Sequence, residues 1–193
     1  MVRVTFIVYN IFMLKIVHAP HDILTKEVRT VMKIDKKIQQ LVYDMEETLI
    51  EQVDPQGVGL AAPQVNVNLA IFIIKPTLKS DTQVFINPKI LEYKQLTTNH
   101  QPPTTQEKNE DIKLEGCLSI PHIWGPVTRN TKVLVEYQDL TGEKKCEWFS
   151  GFKSVIIQHE MDHLHGILFT QRVLEQQGKL YQEKDGELEK IEG

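Results

Sequence analysis

The stretch Gln158-His159-Glu160-Met161-Asp162-His163-Leu164-His165-Gly166 constrains this chain more than any other. Read as a helix, it sets Phe152, Val155, Ile156, His159 and His163 at i, i+3, i+4 spacings, so two imidazoles stand one turn apart over an apolar stripe. That is the geometry of a divalent-metal site. Glu160 projects from the same turn, close enough to handle protons on a bound water without being a ligand. Two histidines leave a metal short of ligands, so the remaining chain has to supply at least one more.

At 193 residues the chain suits one domain with a sizeable core. A net charge of −4 gives no reason to expect nucleic-acid specificity, and no stretch approaches the length of a membrane span. Cys117 and Cys146 are too few for a disulfide framework and suit a reducing cytoplasm, which makes a thiolate ligand plausible. Residues 1–12 are apolar with one early Arg3, yet Asn10 and Lys15 interrupt the run and no small-residue cleavage site precedes Pro20. They read as an extension, either an extra strand or a segment upstream of a natural start at Met13.

Asp35 is a good N-cap for a helix that sets Ile38, Leu41, Val42, Met45 and Leu49 on one face. This helix is expected to pack and to do no chemistry. Gly57-Val58-Gly59-Leu60-Ala61-Ala62-Pro63-Gln64 follows, with glycines that suit close approach by a ligand. Leu69–Lys75 and Gln83–Glu92 read as strands, the second interrupted at Asn87-Pro88. A polar segment at about 96–111 reads as a surface insertion. Alone, Cys117 in Glu115-Gly116-Cys117-Leu118-Ser119-Ile120-Pro121 would pass for a small buried hydrophobe; the histidine pair downstream makes it a ligand candidate. Thr131–Gln138 and Glu143–Phe149 form a hairpin, with Cys146 read as structural. Gly166 stops the metal helix, and the charged tail 173–193 reads as a hairpin around Lys184-Asp185-Gly186 at least as well as a helix.

Three of these stretches, Gly57 to Gln64, Glu115 to Ser119 and Gln158 to Leu164, together and in this order resemble the motifs of the peptide deformylase family. The resemblance covers 13–172, which is taken as the catalytic domain. The expected fold is α+β, mainly antiparallel sheets packed around a central C-terminal metal-ligand helix, with one N-terminal amphipathic helix. The resemblance implies that Cys117, His159 and His163 bind one divalent metal and leave its fourth position to water. Fe²⁺ is the metal it implies, although two imidazoles and a thiolate also accept Zn²⁺, Ni²⁺ or Co²⁺. It implies oxyanion donors in the Gln64 side-chain amide and the Leu118 backbone N–H, and a general base and acid in Glu160.

The implied reaction releases formate from the N-formyl-methionine end of nascent polypeptides. Val58, Phe152, Val155 and Ile156 match positions around the methionine pocket, and backbone near Gly59 would pair with the substrate as an added strand. The working state is expected to be a cytoplasmic monomer in transient contact with the ribosome. Glu115 is expected to pair with Arg129 and hold the cysteine loop, and Arg172 to be structural. Gln158 and Asp162 suit either support of a ligand imidazole or a plain polar helix face, and His165 is read as solvent-facing. Two rival readings are an HExxH zinc peptidase, which would take a third ligand downstream of His163, and an inactive metal-binding relative. The upstream Cys117, with no His or Glu at a convincing spacing after His163, speaks against the first, and intact Glu160, Gln64 and the Gly116-Cys117-Leu118 loop speak against the second.

Overall fold

The Asp35 carboxylate accepts from the backbone N–H groups of Lys37 and Ile38 at 2.9 and 3.2 Å, satisfying two donors that a helix start leaves orphaned. It opens α1 (Lys36–Ile50), which buries Ile38, Val42, Met45 and Leu49 at the expected spacing. The computed structural model describes residues 13–95 and 114–192, so the extension at 1–12 and the insertion at 96–111 lie outside the described residues.

Among the described residues nine strands form two antiparallel sheets. The larger runs β1-β2-β3-β6-β7, from β1 (Gly59–Ala61), β2 (Ile71–Ile74), β3 (Gln83–Lys94), β6 (Lys132–Gln138) and β7 (Lys144–Ser150). The smaller runs β4-β5-β8-β9, from β4 (Leu114–Cys117), β5 (Ile120–Pro126), β8 (Tyr181–Lys184) and β9 (Glu187–Lys190). The burial pattern explains the sequence pattern. β2 is buried at all four positions: Phe72 and Ile74 join a core with Phe85, Val133, Val135 and Phe149, while Ile71 and Ile73 join Leu60 and Ile86 against α1. Two covered faces make β2 read as an unbroken apolar run. In β6, Val133, Val135 and Tyr137 point to the core and alternate with less buried residues, because only one face is fully covered. The Asn87-Pro88 interruption is a register shift between Ile86 and Lys89, with Asn87 at φ +50°; its side chain accepts from Val31 N and donates to Val31 O.

Helix α2 (Phe152–Leu164) carries the histidine pair and packs into the first core through Ile156, Ile157, Met161 and Leu164. Gly151 at φ +61° turns the chain out of β7 into it. Gly166 at φ +70° ends it beside Thr25, whose backbone lies 2.6 Å from where a Cβ would stand. The fold is the α+β arrangement anticipated, with the metal-ligand helix at its centre.

Three features differ from expectation. A further helix, α3 (Phe169–Glu175), follows the Gly166 turn; Phe169 and Val173 bury beneath the smaller sheet, a contact with too few residues to show as periodicity. The C-terminal hairpin forms, but β8 pairs with β5, so these residues extend a sheet and are not a loose tail. Cys146 is exposed on the outer face of β7 and does not pack in the core.

Candidate metal centre

Cys117 ends β4, where the ladder to β5 slips between Gly116 and Cys117 and turns the thiol inward. It meets one face of α2. The ligand atoms of Cys117, His159 and His163 all lie within 4.8 Å of one another. Cys117 Sγ is 3.2 Å from His163 Nε2, and the two imidazole centroids are 5.1 Å apart at 75°. Three donors converging from a strand end and two consecutive helical turns suit one metal ion with an open coordination position.

The surroundings shift the ionisation of the cluster in opposite directions, toward thiolate at Cys117 and toward the charged form at His159. Burial alone would raise the Cys117 thiol, but His163 and His159 facing it outweigh that and hold it well below its ordinary value. Burial opposes charge on His159 as well, yet Cys117 and Glu115 on either side push it well above its usual range. Glu115 Oε2 lies 3.0 Å from His159 Nδ1, which leaves Nε2 directed at the cluster. Three buried polar atoms have no hydrogen-bond partner among the described residues: Asn68 Oδ1, away from this centre, and Glu160 Oε2 and His163 Nδ1 within it. Burial pushes the Glu160 carboxyl up to about 7, against the pull of His159 and His163. A carboxylate at that value exchanges protons near neutral pH.

Glu115 and Arg129 form the expected pair, bidentate at 2.8 and 2.9 Å. The pair is part of a larger network: Arg129 Nη1 also reaches Asp162 at 2.6 Å, and Asp162 holds Arg172 through both oxygens. Together these side chains tie β4, the segment before β6, α2 and α3 around the centre. Asp162 therefore supports the helix through arginines and does not touch an imidazole. Gln158 is likewise a tie, accepting from Asn130 N and donating to Asn130 O. His165 is exposed, with Nδ1 on Met161 O. The direct contact of Glu115 with His159 was not foreseen from sequence, although a signal existed. Glu115 stands two residues before Cys117, a spacing that in a regular strand would put both side chains on one face.

Gln64 closes another side. It lies in the short 3-10 turn Ala62–Val65, its Oε1 accepts from Ala61 N at 2.8 Å, and its Nε2 stands 3.5 Å from Cys117 Sγ and 3.3 Å from Ser119 Oγ. Anchoring the amide oxygen fixes which way the NH₂ points. Leu118 follows Cys117 directly. Gly59 packs against Glu160 so closely that a Cβ there would overlap the carboxylate, which gives the second glycine of Gly57-Val58-Gly59 a physical reason. A cavity of about 850 Å³ opens onto the centre; Val58, Gly59, Phe152, Val155 and Ile156 all line it, as do Gln64, Cys117, Leu118, His159 and Glu160. Phe152 stands at its mouth, 54% exposed, and is not part of a buried stripe. His163 is buried behind this wall.

Comparison with known proteins agrees with this geometry. Residues 13–179 match the family model described as polypeptide deformylase. The peptide deformylase of Desulfotalea psychrophila is 33% identical over 175 residues, covering 89% of this chain and 94% of the relative. That of Finegoldia magna is 39% identical over 152 residues, covering 79% and 84%. Among solved structures, a peptide deformylase from Synechococcus elongatus in complex with actinonin superposes with a TM-score of 0.71 at 32% identity, covering 82% of this chain and 79% of that one. The Thermotoga maritima enzyme gives 0.69 at 33% identity, covering 83% and 97%.

Proposed function

The chain belongs to the polypeptide deformylase family, and we propose that it hydrolyses the N-formyl group of formyl-methionine on nascent polypeptides, with 13–172 as the catalytic domain. The observation that carries this reading is a buried, unpaired Glu160 carboxylate beside three converging metal donors and the oriented amide of Gln64. Cys117, His159 and His163 would hold the metal, which when bound supplies Lewis-acid activation of water. Glu160 takes the proton that water loses as its oxygen attacks the formyl carbon. Charge then develops on the formyl oxygen, where the Gln64 Nε2–H and the Leu118 backbone N–H are the proposed donors. As the C–N bond breaks, Glu160 returns the proton to the leaving amine, and the products are formate and a free α-amino group.

Val58, Phe152, Val155 and Ile156 form an apolar wall suited to a methionine side chain. β1 is the terminal strand of its sheet, so the backbone at Gly59 has an edge to offer an extended peptide. Recognition through backbone and one apolar pocket fits an enzyme that serves many proteins. Fe²⁺ is the proposed native metal, and the proposed working state is a cytoplasmic monomer, where the Cys117 thiol stays reduced. Action on nascent chains calls for transient ribosome contact, and this C-terminus offers a hairpin for it.

The test is anaerobic formate release per bound metal from formyl-Met-Ala, with unformylated Met-Ala and an internal-bond peptide substrate alongside, after loading with Fe²⁺, Ni²⁺ or Zn²⁺. Formate from the first substrate alone is expected, with Fe²⁺ supporting turnover. Cleavage of internal bonds, or an inert metal-replete protein, would overturn the reading.

A further inference from the structure

Trp124 on β5 lays its ring over the backbone of Gly116, one residue before Cys117; a Cβ at Gly116 would fall 2.8 Å from the ring. The indole lines the same cavity as His159 and Glu160. Its Nε1–H donates to Glu183 Oε2 at 2.8 Å. In the β5–β8 ladder Ile123 faces Gln182 and Trp124 faces Tyr181, so Trp124 and Glu183 are diagonal neighbours on one face of the sheet. Glu183 belongs to the C-terminal hairpin, which starts at Tyr181, beyond the last residue of the family match at Lys179. A wall of the substrate cavity is thus anchored by an element that the family match does not include.

The anchoring has a chemical consequence. With its N–H engaged by a carboxylate, the indole has no donor left for a ligand and offers carbon surface alone. The methionine wall lies on α2, at Phe152, Val155 and Ile156, whereas Trp124 stands on the other sheet, past Gly116. Among the described residues β4 is the terminal strand of that sheet, and Leu114, Glu115 and Gly116 line the cavity together with Trp124, so a peptide extending from the centre beside β4 would pass the indole. Resting on the deformylase reading above, we infer that Trp124 selects for aromatic side chains in the two residues after formyl-methionine, and that Glu183 is the positioning residue that holds it. The C-terminal hairpin is then part of the substrate site.

The experiment compares kcat/KM for formyl-Met-Phe-Ala and formyl-Met-Ala-Phe with that for formyl-Met-Ala-Ala in metal-loaded wild type, Trp124→Ala, Glu183→Ala and Glu183→Gln. Wild type is expected to favour at least one aromatic peptide by roughly three- to tenfold, the range typical of aromatic pairs. Trp124→Ala should erase that ratio and Glu183→Ala should reduce it, mainly through KM. Glu183→Gln should keep it, since the amide oxygen still accepts from the indole. A purely structural role would lower all three substrates together. Ratios in Trp124→Ala and Glu183→Ala within twofold of wild type, at equal metal content, would overturn the inference. A wild type that releases no formate from any peptide would instead sink the deformylase reading.

Discussion

Helices α1 and α2 are of similar length, 15 and 13 residues, and are built on opposite terms. α1 has a side-chain cap, one buried apolar stripe, and buried polar residues that are paired: Asp44 accepts from Gln40, and Thr48 donates to Asp44 O and accepts from Leu14 N. α2 starts at a glycine without a side-chain cap and buries Ser154, Gln158, Glu160, Asp162 and His163 alongside its apolar residues. Ser154, Gln158 and Asp162 are fully tied to the surrounding loops and arginines, whereas Glu160 Oε2 and His163 Nδ1 are not. An unpaired buried carboxylate destabilises a fold, so its presence in the best-supported helix marks the position where chemistry outweighs stability.

Substitutions can sharpen that contrast or break it. The largest effect is expected for Glu160→Ala, a loss of about 10²- to 10⁴-fold in kcat with metal retained, the contribution typical of a positioned acid and base. Thermal unfolding of the same variant should show a Tm no lower than wild type, because a carboxyl pushed up to about 7 by burial is being removed. Full activity in metal-replete Glu160→Ala would end the proposed mechanism. Gln64→Ala is expected to lose about 10²- to 10³-fold in kcat with a smaller change in KM, the signature of one missing oxyanion donor.

Glu115→Gln should weaken metal binding by about 10- to 100-fold, read by competition with a chelator, through its contact with His159. Its ionisation also bears on stability. Burial raises the Glu115 carboxyl, but Arg129 and His159 outweigh it and lower it from 4.5 to about 2. A depressed carboxyl stabilises the fold above its unfolded value, and that contribution fades as pH falls from 4.5 through about 2. Urea midpoints of wild type should therefore drop more steeply over that window than those of Glu115→Gln. The smallest effect belongs to α1: Asp35→Ala should cost about 1 kcal/mol of stability by denaturant melt and leave kcat/KM unchanged at 25 °C. A change in activity there would show that α1 does more than pack.

What the sequence determined by itself was local. Periodicity and caps marked α1 and α2, alternation marked the β6–β7 hairpin, and the bulge at Asn87-Pro88 was legible as an interruption, because each depends on neighbours within a few residues. The metal donors were legible too, since Cys117 and the His159–His163 pair sit in motifs whose residue types have little other reason to occur together. Tertiary structure alone decided the contacts between elements distant in sequence. Glu115 reaching His159, the chain from Arg129 through Asp162 to Arg172, the burial of α3 and the hydrogen bond from Trp124 to Glu183 all span two separate elements. Most of the polar partners, Glu115, Arg129, Asp162, Arg172 and Glu183, are types common at surfaces. Which of them ends up buried and paired depends on how the two sheets close around α2, a geometry that no local spacing encodes.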